Sequence, residues 1–266
     1  MSSPSAPPVV PRPAATVVLL RDDPAGGGTQ VFLQRRVRGM AFAGGMTVFP
    51  GGGVSAGDVG DPACWCGPGP ERFGDRLGLP PDAAASLVTA AVRETFEECG
   101  VLLASRPGAA PDPAADAGPW RDELVGRRTT LPALLAAHDL ELRADLLLPW
   151  ARWITPPDNP RRYDTAFLVA RVPEGQVADD ATTEAVEARW WSPAEALAGR
   201  EAGELSLMAP TLHTLQELTR YPSPAAVLAA AATRAITPIT PHMRREGRVA
   251  TITLPGDPDW RIEETT

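Results

Sequence analysis

The stretch Arg93-Glu94-Thr95-Phe96-Glu97-Glu98-Cys99-Gly100-Val101 carries the residues best able to do chemistry. Read as a helix, it places Glu94, Glu97 and Glu98 at i, i+3 and i+4, so three carboxylates share one face. Such neighbours repel by about 0.2–0.5 kcal/mol per exposed pair. At 4 Å the repulsion reaches about 4 kcal/mol where the effective dielectric falls to 20. Arg93 can relieve part of this through Glu97, but one guanidinium does not neutralise three carboxylates, whereas a divalent cation can. Hard oxygen donors on a rigid element suit Mg2+ or Mn2+. The same spacing also describes an ordinary solvated acidic face, and the upstream loop favours the site. Phe49-Pro50-Gly51-Gly52 lets backbone approach a ligand closely and present carbonyl oxygens. Asp58, six residues after Gly52, adds a carboxylate.

Together these residues resemble the signature of the Nudix hydrolases, G-x5-E-x7-R-E-U-x-E-E-x-G-U, in which U is a bulky aliphatic residue. Gly52 and Asp58 match its first half, with Asp in place of Glu; Arg93, Glu94, Glu97, Glu98, Gly100 and Val101 match its second. Thr95 stands at an aliphatic position. Between Asp58 and Arg93 lie 34 residues instead of seven, an insertion of about 27 inside the box. The Nudix branch that includes the peroxisomal coenzyme A diphosphatases has a box interrupted in this way. The chain is similar to that branch also from Gly39-Met40 to Gly52, at Trp153-Ile154-Thr155-Pro156, and at Arg162-Tyr163-Asp164-Thr165-Ala166-Phe167. The similarity runs over roughly residues 14 to 220.

The resemblance implies an α/β (α+β) fold, a Nudix-type α/β/α sandwich with a mixed sheet, plus insertions and extra C-terminal helices. It implies a Mg2+- (or Mn2+-) dependent pyrophosphohydrolase that cleaves a nucleoside diphosphate linked to another moiety by metal-assisted attack of water. Coenzyme A or acyl-CoA is the first substrate expected, with ADP-ribose or NADH as the alternative. A non-catalytic nucleotide-binding Nudix-like module is the alternative of another class; the full carboxylate cluster argues against it. By the same resemblance Glu94, Glu97, Glu98 and the carbonyl of Gly51 are metal ligands. Glu97 and Arg93 are catalytic, with Arg93 orienting the glutamates and pairing with Asp58 if the insertion leaves Asp58 in place. Glu184, ahead of Glu187, is the candidate for a further carboxylate from a loop outside the box. Nudix domains often pair, which allows a homodimer.

Composition narrows what can hold the substrate. All 25 basic residues are arginine. There is no Walker-type phosphate lysine, no Schiff-base lysine and no lysine base. Phosphates therefore fall to arginines, and Arg35, Arg36, Arg161 and Arg162 flank proposed strands. A net charge of -8 argues against a protein that coats nucleic acid. Three cysteines cannot build a disulfide framework, so a reducing compartment is expected. Cys64 and Cys66, a C-x-C without a second pair, make a poor zinc site. With neither a leader pattern nor a membrane-length apolar run, the expectation is a cytoplasmic protein whose partner is a small molecule, not nucleic acid or a membrane.

The elements that must position these residues read as follows. Residues 1–12 are Ser/Pro-rich and read as a disordered tail; the Nudix domain is expected over 13–245, with insertions at 59–81 and 104–130, and 246–266 as a C-terminal extension. Strands are expected at Ala14–Arg21, Val31–Arg36, Met46–Phe49, Trp150–Thr155, Thr165–Val172, Val186–Trp191 and Val249–Leu254. The chief helix is expected over Ala83–Cys99, capped by Asp82 and stopped by Gly100. Its core face would be Leu87, Val88, Ala91, Val92, Thr95 and Cys99. Further helices are expected at Leu131–His138, Pro193–Leu197, Ala209–Arg220 and Ala225–Arg234. The 59–81 insertion reads as a loop with a short helix at most, and 105–119 as a loop.

Overall fold

The structure, a computed structural model, describes residues 9–39, 43–59, 61, 64–110, 117–182, 185–247 and 249–265. In chain order its elements are β1 (Arg12–Asp22), β2 (Thr29–Arg36), β3 (Thr47–Val48), β4 (Gly51–Gly53), β5 (Trp65–Cys66), α1 (Pro70–Leu77), α2 (Pro81–Cys99), β6 (Ala104–Ser105), α3 (Ala117–Val125) and α4 (Leu131–Ala137). They continue with β7 (Glu141–Arg143), β8 (Leu148–Ile154), β9 (Tyr163–Arg171), β10 (Ala185–Trp191), α5 (Pro193–Glu201), α6 (Ala209–Leu218), α7 (Pro224–Thr233), β11 (His242–Glu246), β12 (Val249–Leu254) and β13 (Asp257–Thr265). The fold is mixed α/β.

The main sheet runs β10-β2-β1-β9-β8, with β3 on β2 and β4 on β1. β1 is parallel to β9 and antiparallel to β2 and β4. Its central strands are apolar on both faces, the pattern of a sheet covered on both sides. Ala15, Val17 and Leu19 of β1 and Ala166, Leu168 and Ala170 of β9 enter one core. Val18, Leu20, Phe167 and Val169 enter a second. The first core is closed by α1, α2, α3 and α4, the second by α5, α6, α7 and the small sheet β11-β12-β13.

α2 buries all six expected core residues, and Ala84, Ala90 and Phe96 as well. Each fully buried Leu, Val or Phe contributes about 1.5–3 kcal/mol, which fixes the helix against the sheet. Gly100 ends it in a left-handed conformation at φ 74°, as a C-terminal glycine does. Asp82 is not the N-cap. The helix begins at Pro81, whose ring presets the first helical φ, after Pro80 with no side-chain cap. Asp82 sits in the first turn instead.

The segment between Asp58 and α2 is built into the body. Trp65 and Cys66 form β5, which pairs in parallel with β7, and Phe73 and Leu77 of α1 lie in the first core. Arg76 reaches the carbonyls of Ala231 and Arg234. α3 occupies part of the region read as loop; its stretch Ala-Gly-Pro-Trp carries weak helical signals that packing of Leu124 overrides. Beyond α7, β12 falls on the expected strand and is flanked by β11 and β13, which the sequence reading did not contain. β11 spans Glu246, the first residue of the expected extension.

Candidate active site

Glu94, Glu97 and Glu98 stand on the last turns of α2, facing β4. Arg93 gathers the box around its guanidinium. Nε and Nη2 donate to the two oxygens of Asp58 at 2.7 and 3.0 Å. Nη1 donates to Glu94 and Glu97, each at 2.9 Å, and Nη2 also to the carbonyl of Gly53 at 3.0 Å. This two-pronged pair is the strong form of an arginine–carboxylate contact. Asp58 is fully buried and accepts from the amide and hydroxyl of Ser55 at 2.7 and 2.9 Å. Burial works against the charge on Arg93, but Asp58, Glu94 and Glu97 outweigh it and hold its pKa above the ordinary value. The insertion thus leaves Asp58 under Arg93, the arrangement expected of it.

Glu98 is only 3% exposed. It accepts from the Gly51 amide at 2.8 Å and from the side-chain amide of Gln34, and Arg36 Nη1 lies 3.9 Å from its other oxygen. Two of the three β4 glycines are required by close packing, Gly51 against β1 and Gly52 against Glu94. A Cβ on Gly51 would lie 2.3 Å from the Ala15 carbonyl oxygen, and one on Gly52 would lie 2.4 Å from the Glu94 carboxylate. Gly53 has open space.

The donor set fits a hard divalent cation. Three carboxylates stand on one helix beside a strand whose backbone amide at Gly51 donates to Glu98, and Gly52 leaves its Cβ space to the Glu94 carboxylate. As the side chains stand, no three His, Cys, Asp or Glu residues among the described residues are gathered into a metal site. Arg93 Nη1 lies between Glu94 and Glu97, while Gln34 and Gly51 hold Glu98.

Beside β4 lies a cavity of about 500 Å3. Its walls come from β1, β8 and β9, the start of α6 and the C-terminal sheet, and include Phe49, Trp153, Tyr163 and Phe167. Gly51, Gly52, Gly53 and Arg36 line it too, so the cavity and the glutamates share one thin strand. Trp153 Nε1–H is buried with no hydrogen-bond partner among the described residues.

Of the four arginines expected to meet phosphate, the structure brings Arg36 to the site. Strand alternation explains the split between neighbours: Phe32, Gln34 and Arg36 face α2, whereas Arg35 points away and pairs with Glu187 at 3.1 Å in the open. Arg162 holds backbone, donating to the carbonyls of Thr155 and Val9 at 3.0 and 2.7 Å. Arg161 is exposed and does not line the cavity. Glu184 lies outside the described residues. Sequence reading missed Gln34, although a glutamine on the buried face of an apolar strand always needs a polar partner. It missed the cavity entirely.

The family profile for the NUDT19 Nudix domain matches residues 70–218. The acyl-coenzyme A diphosphatase NUDT19 of Homo sapiens is 31% identical over 253 residues, covering 80% of this chain and 66% of that protein. The one of Gallus gallus is 30% identical over 243 residues, covering 73% and 61%. Putative nudix hydrolase 7 of Caenorhabditis elegans is 27% identical, covering 72% and 56%. The chain thus spans somewhat less than two thirds of the length of these relatives. The crystal structure of a NUDIX hydrolase from Alicyclobacillus acidocaldarius superposes with a TM-score of 0.69 at 27% identity, covering 86% of this chain and 99% of that one. The profile takes in over half of the chain, and with it Arg93, Glu94, Glu97 and Glu98, at the point where the geometry had already assembled them: the chain belongs to the NUDT19 Nudix domain family.

Proposed function

We propose that this chain hydrolyses the diphosphate of coenzyme A or an acyl-CoA, with Mg2+ or Mn2+ as cofactor, releasing 3′-phospho-AMP and the phosphopantetheine half. The observation that carries this reading is the shared strand. A ligand whose body fills the cavity beside Gly51–Gly53 brings its diphosphate to Arg36 and to the glutamates behind that strand. The relatives named acyl-coenzyme A diphosphatase supply the substrate class.

Glu94, Glu97, Glu98 and the Gly51 carbonyl would hold the cation. When bound, it neutralises charge on the diphosphate and makes water a better nucleophile. Arg93 does not touch substrate; it is a positioning residue that keeps Glu94 and Glu97 aligned from its anchor on Asp58. Arg36 donates to a phosphate oxygen, a charge-assisted contact that strengthens as charge builds on phosphorus. Proton removal from the attacking water falls to a carboxylate: Glu97 stands at this site, and Glu184, the other candidate, lies outside the described residues.

The test is a panel of CoA, acyl-CoA, ADP-ribose, NADH and diadenosine polyphosphates with Mg2+, products resolved by chromatography. CoA compounds should turn over fastest and release 3′-phospho-AMP. If ADP-ribose or NADH is hydrolysed about tenfold faster, a difference of about 1.4 kcal/mol in barrier, the substrate reading is wrong. Absence of hydrolysis with tight nucleotide binding would mean a binding module.

A further inference from the structure

We infer that the cavity receives the acyl-pantetheine arm of the substrate, and that the C-terminal sheet sets how long an acyl chain it accepts. This rests on the reading above and adds to it which half of the molecule is buried and what measures it.

The first argument is charge. Among the described residues lining the cavity, Arg36 carries the sole charged side chain, and it sits at the Gly51–Gly53 edge beside Glu98. The rest are apolar or neutral, with Phe49, Trp153 and Phe167 drawn from the second core. The nucleotide half of CoA carries a 3′-phosphate, and burying that group among such walls leaves a multiply charged anion without a partner. The arm beyond the diphosphate is uncharged. Its amides can use polar lining groups, among them Thr16, Asn159, Tyr163 and Thr165. Its thioester and alkyl end suit the apolar remainder. The diphosphate at Arg36 then leaves the nucleotide outside.

The second argument is where the wall comes from. Met243 of β11 and Ile252 of β12 both line the cavity and are directly opposed partners in the antiparallel pair. Ile262 of β13 opposes Ile252 in turn, so the three form one apolar row against the second core. The sheet is anchored independently of any ligand. Ile239, just before it, exchanges backbone hydrogen bonds with Arg152 and Ile154 at 2.8 Å, and Trp260 Nε1 donates to Gln216 at 2.7 Å. These residues lie beyond the 70–218 segment that matches the family.

The experiment measures binding and turnover separately. Affinity of S-octanoyl-4′-phosphopantetheine and of 3′-phospho-AMP is read by calorimetry, and kcat/KM by a CoA, butyryl-CoA and octanoyl-CoA series, for wild type, Met243→Trp and Ile252→Ala. Met243 is half-buried, so the larger ring fills cavity space with the least disturbance. Ile252→Ala enlarges the same wall and keeps the test valid if Met243→Trp fails to fold. A methylene more or less in an apolar pocket changes discrimination by roughly 10- to 200-fold. Met243→Trp should therefore weaken the octanoyl compound at least about tenfold and leave 3′-phospho-AMP within about twofold. Ile252→Ala should shift the series toward the longer chain. The inference is overturned if the phosphopantetheine compound does not bind wild type, or if both variants change 3′-phospho-AMP as much as the octanoyl compound. Should the phosphopantetheine arm bind as stated while CoA is not cleaved, the arm's seat stands and the reaction assigned to the site does not.

Discussion

The two faces of the main sheet solve opposite problems. On the α2 face, four carboxylates and Arg93 crowd into a small volume and are held by named hydrogen bonds, several from residues close in sequence. On the other face, a mostly apolar cavity is assembled from β1, β8, β9, α6 and the C-terminal sheet. The first is a device of charge, held by hydrogen bonds of 2.7–3.0 Å around Arg93. The second is a device of shape, tolerant of substitution as long as volume and polarity are kept. Catalytic reach should therefore be lost by tiny changes on one face, and substrate choice altered by bulky ones on the other.

The strongest test of that contrast is Glu98→Gln, with Glu97→Gln beside it. A cation-held contact to the transition state is worth several kcal/mol, so kcat should fall by about 10²- to 10³-fold at 1.36 kcal/mol per decade. The glutamine oxygen still accepts from the Gly51 amide, so thermal stability should stay nearly unchanged. Residual activity above about a tenth of wild type would sink the assignment of Glu98 as a ligand. Calorimetric titration with Mn2+ should show the same loss without any substrate.

Arg93→Leu should be the most damaging change to stability. It strands buried Asp58, and removing one partner of a buried ion pair costs about 3–5 kcal/mol. Denaturant unfolding of Arg93→Leu, Asp58→Leu and the double variant forms a cycle; the double variant should recover part of the loss because no charge is left unpaired. Additive losses would show that the pair is not the unit described above.

A finer test separates neighbouring glycines. Gly52→Ala puts a methyl group into the Glu94 carboxylate, whereas Gly53→Ala meets nothing within 4 Å. A displacement of about 1 Å at a reacting group can cost about 100-fold, so Gly52→Ala should lose at least about tenfold in kcat and Gly53→Ala almost nothing. Equal effects would mean that close approach of β4 to α2 does not matter for turnover.

The same contrast explains what could be read from the sequence. α2, its core face and Gly100 were legible because helical spacing specifies them locally, whereas the Arg93–Asp58 pairing, 35 residues apart, came only from the family resemblance and on condition that the insertion left Asp58 in place. Even with 34 residues between Asp58 and Arg93 where the signature has seven, the two halves of the box meet, since α1 and β5 pack back into the body instead of displacing Asp58. Arg35 and Arg36 could not be ranked until β2 had a register, because one step along a strand reverses the side chain. The cavity was illegible for a different reason. Its walls are far apart in the chain, and Met243 and Ile252 in isolation read only as strand residues. β11 and β13 owe their form to each other and to the second core more than to local preference, which strand propensities follow poorly.

The smallest predicted effect probes the apolar face and concerns His213 of α6. Its ring lies between Trp153, which lines the cavity, and Trp260 of the C-terminal sheet. Burial lowers its pKa from the usual 6.5, and Arg234 and Arg220 act in the same direction; Glu217, 3.7 Å from Nδ1, and Asp257 oppose them. The neutral ring is thus the form the fold prefers. Above pH 6.5 neither the folded nor the unfolded state protonates it, and pH has no effect through this group. As pH falls through 6.5 the unfolded chain takes up a proton that the folded chain refuses, so stability declines until the folded pKa is reached. His213→Phe keeps a flat ring between the two tryptophans and removes the titration. The stability difference between wild type and His213→Phe should therefore be constant above pH 7 and move in favour of the variant below about pH 6.5. A difference that stays flat across that window, measured by denaturant unfolding at matched ionic strength, would show that the seam between the cavity and the C-terminal sheet admits a charge after all.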